Sequence, residues 1–202
     1  MPKVKIKRKS TRIDMTAMSD VTVLLLTFFM LTSTFIQKEP VLVTTPGSVS
    51  EIKIPETNIL QILVDPEGHV YLSLDKPEDR VEILKKVGSQ YNVTFSSEEQ
   101  KKFRLLPSFG VPVDKMKSFL ALPTAEQDHV IKGYGIPCDS LHNEFKIWIK
   151  EARAQNPDLR IAIKADQNTP YKQIKMIMTS LQELRENRYN LITSLKNLPP
   201  EI

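Results

Sequence analysis

Sixteen consecutive residues from Val21 to Ile36, VTVLLLTFFMLTSTFI, carry no charge. Taken back to Ala17, the run makes about 30 Å of helix, which is the thickness of a bilayer's hydrocarbon core. A helix apolar on every side has to be wrapped by protein or by lipid. The chain of 202 residues has room for one modest domain besides. The expectation is a transmembrane helix over residues 15–36. A secretory signal also starts basic and continues apolar. This run is long for a signal core, however, TSTFIQKEP offers no A-x-A-like cleavage site, and no cysteine follows closely enough to be lipidated.

Charge orients the span. Residues 1–20 hold six Lys or Arg and two acids, so their balance of +4 is the net charge of the whole chain. Beyond them, 28 − 6 = 22 basic and 24 − 2 = 22 acidic side chains cancel. Basic flanks stay cytoplasmic, which puts a tail over residues 1–14 inside and everything past about residue 37 across the membrane. A nucleic-acid-binding face would need a Lys/Arg excess on the folded part, and there is none. The single cysteine, Cys138, excludes an internal disulfide and any cysteine-rich metal site. It reads as a small packed side chain rather than a nucleophile, since none of His69, His129 or His142 has a context that would activate it.

Asp20 stands at the head of the apolar run. A carboxylate within a span is unfavourable against lipid, so it is expected to face protein or a wet cavity. At 100° per residue, Thr16, Asp20, Thr27 and Thr34 fall within about 40° of one another, and Asp14 lies opposite. Hydroxyls beside a carboxylate can hydrogen-bond to it or hold water, as a proton path requires; they can equally bond their own helix carbonyls. A neutral carboxyl can cross an apolar surface, whereas an ionised one needs water or a partner.

The run Ile13-Asp14-Met15-Thr16-Ala17-Met18-Ser19-Asp20-Val21, behind a basic tail and ahead of LLLTFFMLTSTF, resembles the start of the membrane helix in the ExbD/TolR family. The family pattern is close to I-N-x-T-P-x-x-D-V. Asp14 stands in place of the usual Asn and Ala17 in place of the usual Pro. The likeness continues at Ile52-Lys53-Ile54-Pro55, similar to the family's short motif after the membrane helix. It appears again at Arg160–Asp166, Thr169-Pro170-Tyr171 and YNLIT, similar to its closing strand–helix–strand unit. The stretch 77–137 reads as an insertion relative to shorter members.

Past the span, residues 37–58 mix Pro, Thr, Ser and Glu with apolar triplets and read as a flexible linker, in which Ile52, Ile54 and Pro55 have strand-like alternation. Ile59–Val64, an Asp65-Pro66-Glu67-Gly68 turn and His69–Leu74 read as a hairpin. Asp65, Glu67 and His69 could hold a metal, but turn chemistry accounts for them. A helix over 78–90 would set Val81, Leu84, Lys85 and Val87 on one face. Within 77–137, Ser97 with Gln100 and Thr124 with Gln127 fit capping boxes, and prolines predict short helices and loops without a second core. Ser140 is expected to cap a helix with a stripe of Leu141, Phe145, Trp148 and Ala152. Leu159–Lys164 reads as a strand. Thr169 and Pro170 start a helix to about Asn187, and Tyr189–Thr193 is a last strand. The fold expected over 59–202 is a small α+β domain, a sheet with helices on one face. There is no phosphate loop, nucleophile elbow or zinc spacing, so neither an enzyme nor a cofactor is expected.

The resemblance implies a single-pass inner-membrane protein with a periplasmic domain, in which Asp20 carries protons. It implies a homodimer threaded through a pentameric ExbB-like channel, using the proton motive force to drive a TonB-like protein that energises outer-membrane transport. A TolR-like role in envelope integrity, with peptidoglycan contact, is the alternative within the family. Outside it, the alternative is a membrane-tethered binding domain with no proton role.

Overall fold

A computed structural model describes residues 15–33, 41, 43–48, 57–139 and 142–195. The basic tail, Asp14, Thr34, the Ile52-Ile54-Pro55 motif, Ser140 and Leu141 lie outside the described residues. The chain divides into two compact units, Met1–Gln37 and Lys38–Ile202. In the first, α1 spans Met15–Thr32 with no buried residue, and the Ser33 N–H continues its ladder to the Phe29 carbonyl at 2.9 Å.

The second unit is built on the predicted hairpin. β2 (Ile59–Val64) and β3 (Val70–Leu74) pair antiparallel. Gly68, at φ 90°, supplies the left-handed step that closes the turn. β5 (Arg160–Ala165) adds parallel to β2, and β6 (Tyr189–Leu191) adds parallel to β5. A two-residue strand, β4 (Ser108–Phe109), flanks β3, giving the order β4-β3-β2-β5-β6. Register explains which face is covered. Leu60, Ile62 and Val64 align with Leu74, Leu72 and Val70 on one side and with Ile161, Ile163 and Ala165 on the other, and all nine are buried. Gln61, Ser73 and Lys164 point the other way, as the period of two demands, and on that side Leu63, Tyr71 and Ala162 are buried as well.

The helices are α2 (Pro77–Gln90), α3 (Ser97–Leu105), α4 (Val113–Ala121), α5 (Thr124–Val130) with a 3₁₀ turn at Ile131–Gly133, α6 (Glu144–Gln155) and α7 (Tyr171–Glu183). As expected, the 77–137 region is a set of short helices without a core of its own. Its Phe103, Phe109, Met116 and Phe119 join the same buried cluster as Ile62 and Trp148. Trp148 is in the core, 1% exposed, with rings of Phe109 and Phe103 at 4.6 and 6.3 Å. The predicted stripe of α6 holds at Phe145, Trp148 and Ala152.

Several details differ from the sequence expectation, each for a local reason. The capping box of α3 is Ser96 with Glu99, one residue before Ser97 and Gln100, because Ser96 is the residue in extended conformation. α5 has no side-chain cap at Thr124. Gln127 instead donates its amide to the Phe119 and Leu122 carbonyls at the end of α4. α6 is capped by Asn143, whose side-chain oxygen accepts the Lys146 N–H at 3.0 Å. Thr169 does not cap α7; its hydroxyl donates to the Asp65 carbonyl at 2.9 Å. α7 stops at Glu183, before Asn187, because Arg185 turns left-handed at φ 60°. The Arg185 and Glu186 N–H groups then bond back to Gln182 and Leu181. On α2 the buried face is Arg80, Ile83, Leu84, Val87 and Gly88, and Lys85 is exposed.

The last strand is split. Beyond β6, β7 (Ser194–Leu195) leaves the sheet and pairs parallel with β1 (Gly47–Ser48), so part of the 37–58 stretch is in strand pairing. Close approach also explains Gly110, where a Cβ would sit 2.1 Å from the Tyr71 ring. Gly110→Ala is expected to lower stability by about 1–3 kcal/mol through overpacking, measurable by urea unfolding followed through Trp148.

Candidate functional site

α1 consists of good helix formers interrupted by threonines, which remain helical by returning their hydroxyls to the backbone. Thr22 donates to the Met18 carbonyl at 2.7 Å, Thr27 to Leu24 at 2.9 Å and Thr32 to Phe28 at 2.8 Å. Of the fourteen large apolar side chains exposed among the described residues, eleven are on α1, from Met15 to Leu31. Such a surface is unfavourable in water and suits hydrocarbon. Its 18 residues make about 27 Å of helix, enough to cross with slight thinning.

Asp20 is the one ionisable side chain in Met15–Thr32. Among the described residues nothing pairs with it. Thr16, one turn before it, and Thr27, two turns after, share its face by helical geometry; Thr34 and Asp14 lie outside the described residues. The Thr27 hydroxyl has its proton engaged by Leu24, and its lone pairs can still accept. The helix thus presents a carboxyl group and a stripe of hydroxyl acceptors on an otherwise apolar rod.

The other candidate constellation lies at the C-terminal ends of β2 and β5. Asp65 is buried; its Oδ1 accepts the His69 backbone N–H at 2.7 Å, and its Oδ2 meets His69 Nδ1 at 2.9 Å. The Tyr71 hydroxyl donates to the same Oδ2 at 3.3 Å, and burial and then the Asp65 charge push that phenol's pKa up. Glu67 reaches His69 at 3.6 Å. The three possible ligand atoms of Asp65, Glu67 and His69 lie within 4.8 Å of one another. Both oxygens of Asp65 are already engaged by the turn, so the group reads as the lock of the hairpin and of the α7 start.

Beside it, Asp166 fastens the segment before β1. Its Oδ2 accepts the Thr44 N–H at 2.7 Å and its Oδ1 the Asn168 N–H at 2.9 Å, while Gln167 N–H bonds the Thr44 carbonyl. The Asn168 and then the Thr44 N–H hold the Asp166 carboxyl below the usual carboxylate range. A depressed carboxylate stabilises the folded state above its unfolded value and loses that contribution as pH falls through its lowered value. Exchange of the Thr44 amide, measured against the unstructured rate at the same pH, is therefore expected to stay slow at neutral pH and to lose that protection below about pH 4. Asp166→Asn, keeping one acceptor oxygen of two, is expected to speed it at neutral pH. Sequence reading missed this anchor, since nothing local links Thr44 to Asp166.

The family model described as biopolymer transport protein ExbD/TolR matches residues 7–196. No curated protein and no solved structure matches the chain. With an apolar helix followed by a sheet-and-helix domain, and a match running over nearly all of its length, the chain belongs to the ExbD/TolR family of biopolymer transport proteins.

Proposed function

We propose that this chain is the ExbD-like subunit of a proton-driven motor in the inner membrane, and that Asp20 carries the proton. Members of the family work with ExbB/TolQ-type channels and TonB/TolA-type partners. The observation that carries the reading is the isolation of Asp20: one carboxyl group on an apolar helix, at the position of the family's acid, with Thr16 and Thr27 on its face. One helix cannot enclose a pore, so the proton path needs a channel around it, and an ExbB-like pentamer holding two copies of α1 supplies it. Protonated, Asp20 passes the channel's apolar wall; ionised, it is held at wet, hydroxyl-lined positions. Each charge moved through 100 mV is worth about 2.3 kcal/mol, enough to bias a cycle of conformations.

The basic tail sets the N-terminus in the cytoplasm and the domain in the periplasm. There, a dimer of the second unit would pass the motion to a TonB-like protein. Cells lacking the chain test the output. Loss of iron-chelate uptake with an intact outer-membrane barrier is the expected result. Normal uptake with detergent sensitivity would assign the TolR-like output, and no phenotype in either assay would leave a tethered binding domain.

A further inference from the structure

Six arginines follow α1 in the sequence, and their partners divide them sharply. Arg80 is buried against backbone carbonyls, and Arg104 pairs with Glu78 at 2.6 Å. Arg153 grips Glu186 with two parallel bonds of 2.7 and 2.6 Å and gives its remaining donors to the carbonyls of Pro157 and Leu159. The side chains of Arg160, Arg185 and Arg188 are exposed, with no partner among the described residues. All three line one groove of about 1110 Å³, together with the Arg153–Glu186 pair.

Topology assembles this groove. Arg160 opens β5, Arg188 directly precedes β6, and Arg185 turns the chain between α7 and β6, so the parallel strands bring their N-terminal ends together. The charged groups lining it are four arginines against Asp158 and Glu186, a local excess of two positive charges in a region whose charges otherwise cancel. Guanidinium groups in excess of the carboxylates beside them repel one another, and an anion bound among them relieves that. Two of the three non-glycine residues at positive φ among the described residues, Asn58 and Arg185, line this groove. Left-handed backbone favours glycine, and here an arginine occupies the position that ends α7.

We propose that the groove binds an acidic peptide: an extended segment of a partner protein carrying two or three closely spaced Asp or Glu side chains. The guanidinium fork matches a carboxylate in two parallel bonds, as Arg153 already does with Glu186. Thr57, Asn187 and Asn190 add side chains that both donate and accept, which suits peptide amides. The groove's volume of about 1110 Å³ leaves room for a short extended segment. The site is independent of Asp20 and its proton role.

The test uses the full chain in detergent micelles and a fluorescein-labelled hexaglutamate peptide, read by anisotropy at low salt. Arg160 and Arg188 are exposed, so Arg160→Gln with Arg188→Gln leaves the core intact, which the Trp148 emission checks. The double variant is expected to bind at least about tenfold more weakly, and hexaglutamine is expected not to bind. The basic tail of residues 1–12 is a rival site within the same molecule. Unchanged affinity in the double variant assigns the peptide to that tail and overturns the proposal, as does absence of binding to the unaltered chain. Displacement by inorganic pyrophosphate as readily as by unlabelled hexaglutamate would make the groove a phosphate site and overturn the peptide assignment.

Discussion

Asp20→Asn is expected to abolish iron-chelate uptake while the protein still inserts, dimerises and associates with its channel. Asn keeps the size of the side chain and its hydrogen-bonding capacity but cannot ionise, so the substitution removes the proton alone. Each charge carried through 100 mV contributes about 2.3 kcal/mol, or about fiftyfold in the balance between two states of a motor. Uptake should fall by at least that factor. Asp20→Glu, which keeps the chemistry on a longer arm, should retain part of the activity. Thr27→Val should have a far smaller effect, since its hydroxyl proton is already engaged by Leu24. Normal uptake in Asp20→Asn would remove the motor reading for iron transport.

The second large effect is structural. Arg80 is 3% exposed, and its guanidinium bonds the Leu74 carbonyl at 2.8 Å, the Arg104 carbonyl at 3.2 Å, the Asp75 carbonyl at 3.3 Å and the Leu106 carbonyl. It thereby ties the end of β3 and the loop after it to the end of α3. Burial lowers its pKa, only partly offset by Asp75. Removing the head group in Arg80→Ala leaves four carbonyls short of a donor, two of them among the last carbonyls of a helix or strand. Each such loss costs about 1–3 kcal/mol where water cannot enter. Some water will enter, so the expected total is about 3–5 kcal/mol, in the range of broken buried networks. For a unit of this size that lowers the midpoint of thermal unfolding by about 10 °C. Trp148 is the single tryptophan of the chain and sits in the core, so its emission reports the transition directly. Arg80→Lys keeps the charge but loses the fork, and should fall between the two. A change below about 1 kcal/mol in Arg80→Ala would contradict this account of the buried guanidinium.

Much of the fold was legible because its signals are local. The charge-free run before Ile36, the short apolar runs on both sides of Asp65-Pro66-Glu67-Gly68, and the stripe of Phe145, Trp148 and Ala152 are each written within one stretch of sequence. The errors sit where two neighbouring residues compete for one role. Ser96 and Ser97 could each cap α3, and only backbone conformation decides between them. Thr169 and Pro170 look like a cap and first residue, yet a long-range bond to Asp65 takes the Thr169 hydroxyl. The burial of Arg80 has no local signal, because the carbonyls that receive it come from the end of β3, the loop after it and the end of α3. The same limit hid the arginine groove, since Arg160 and Arg188 become neighbours only when β6 is laid beside β5. The role proposed for Asp20 rests on the family pattern and on what a carboxylate in an apolar helix can do; Thr16 and Thr27 share its face by geometry alone.

The most direct measurement is proton flux through the assembled complex. The chain and its channel partner are reconstituted together into liposomes, a potassium diffusion potential is imposed, and the internal pH is followed with a trapped dye. Acidification driven by the potential is expected with Asp20 present, and none with Asp20→Asn in complexes of the same composition. Equal flux in both would show that protons pass without Asp20 and would contradict its role as their carrier.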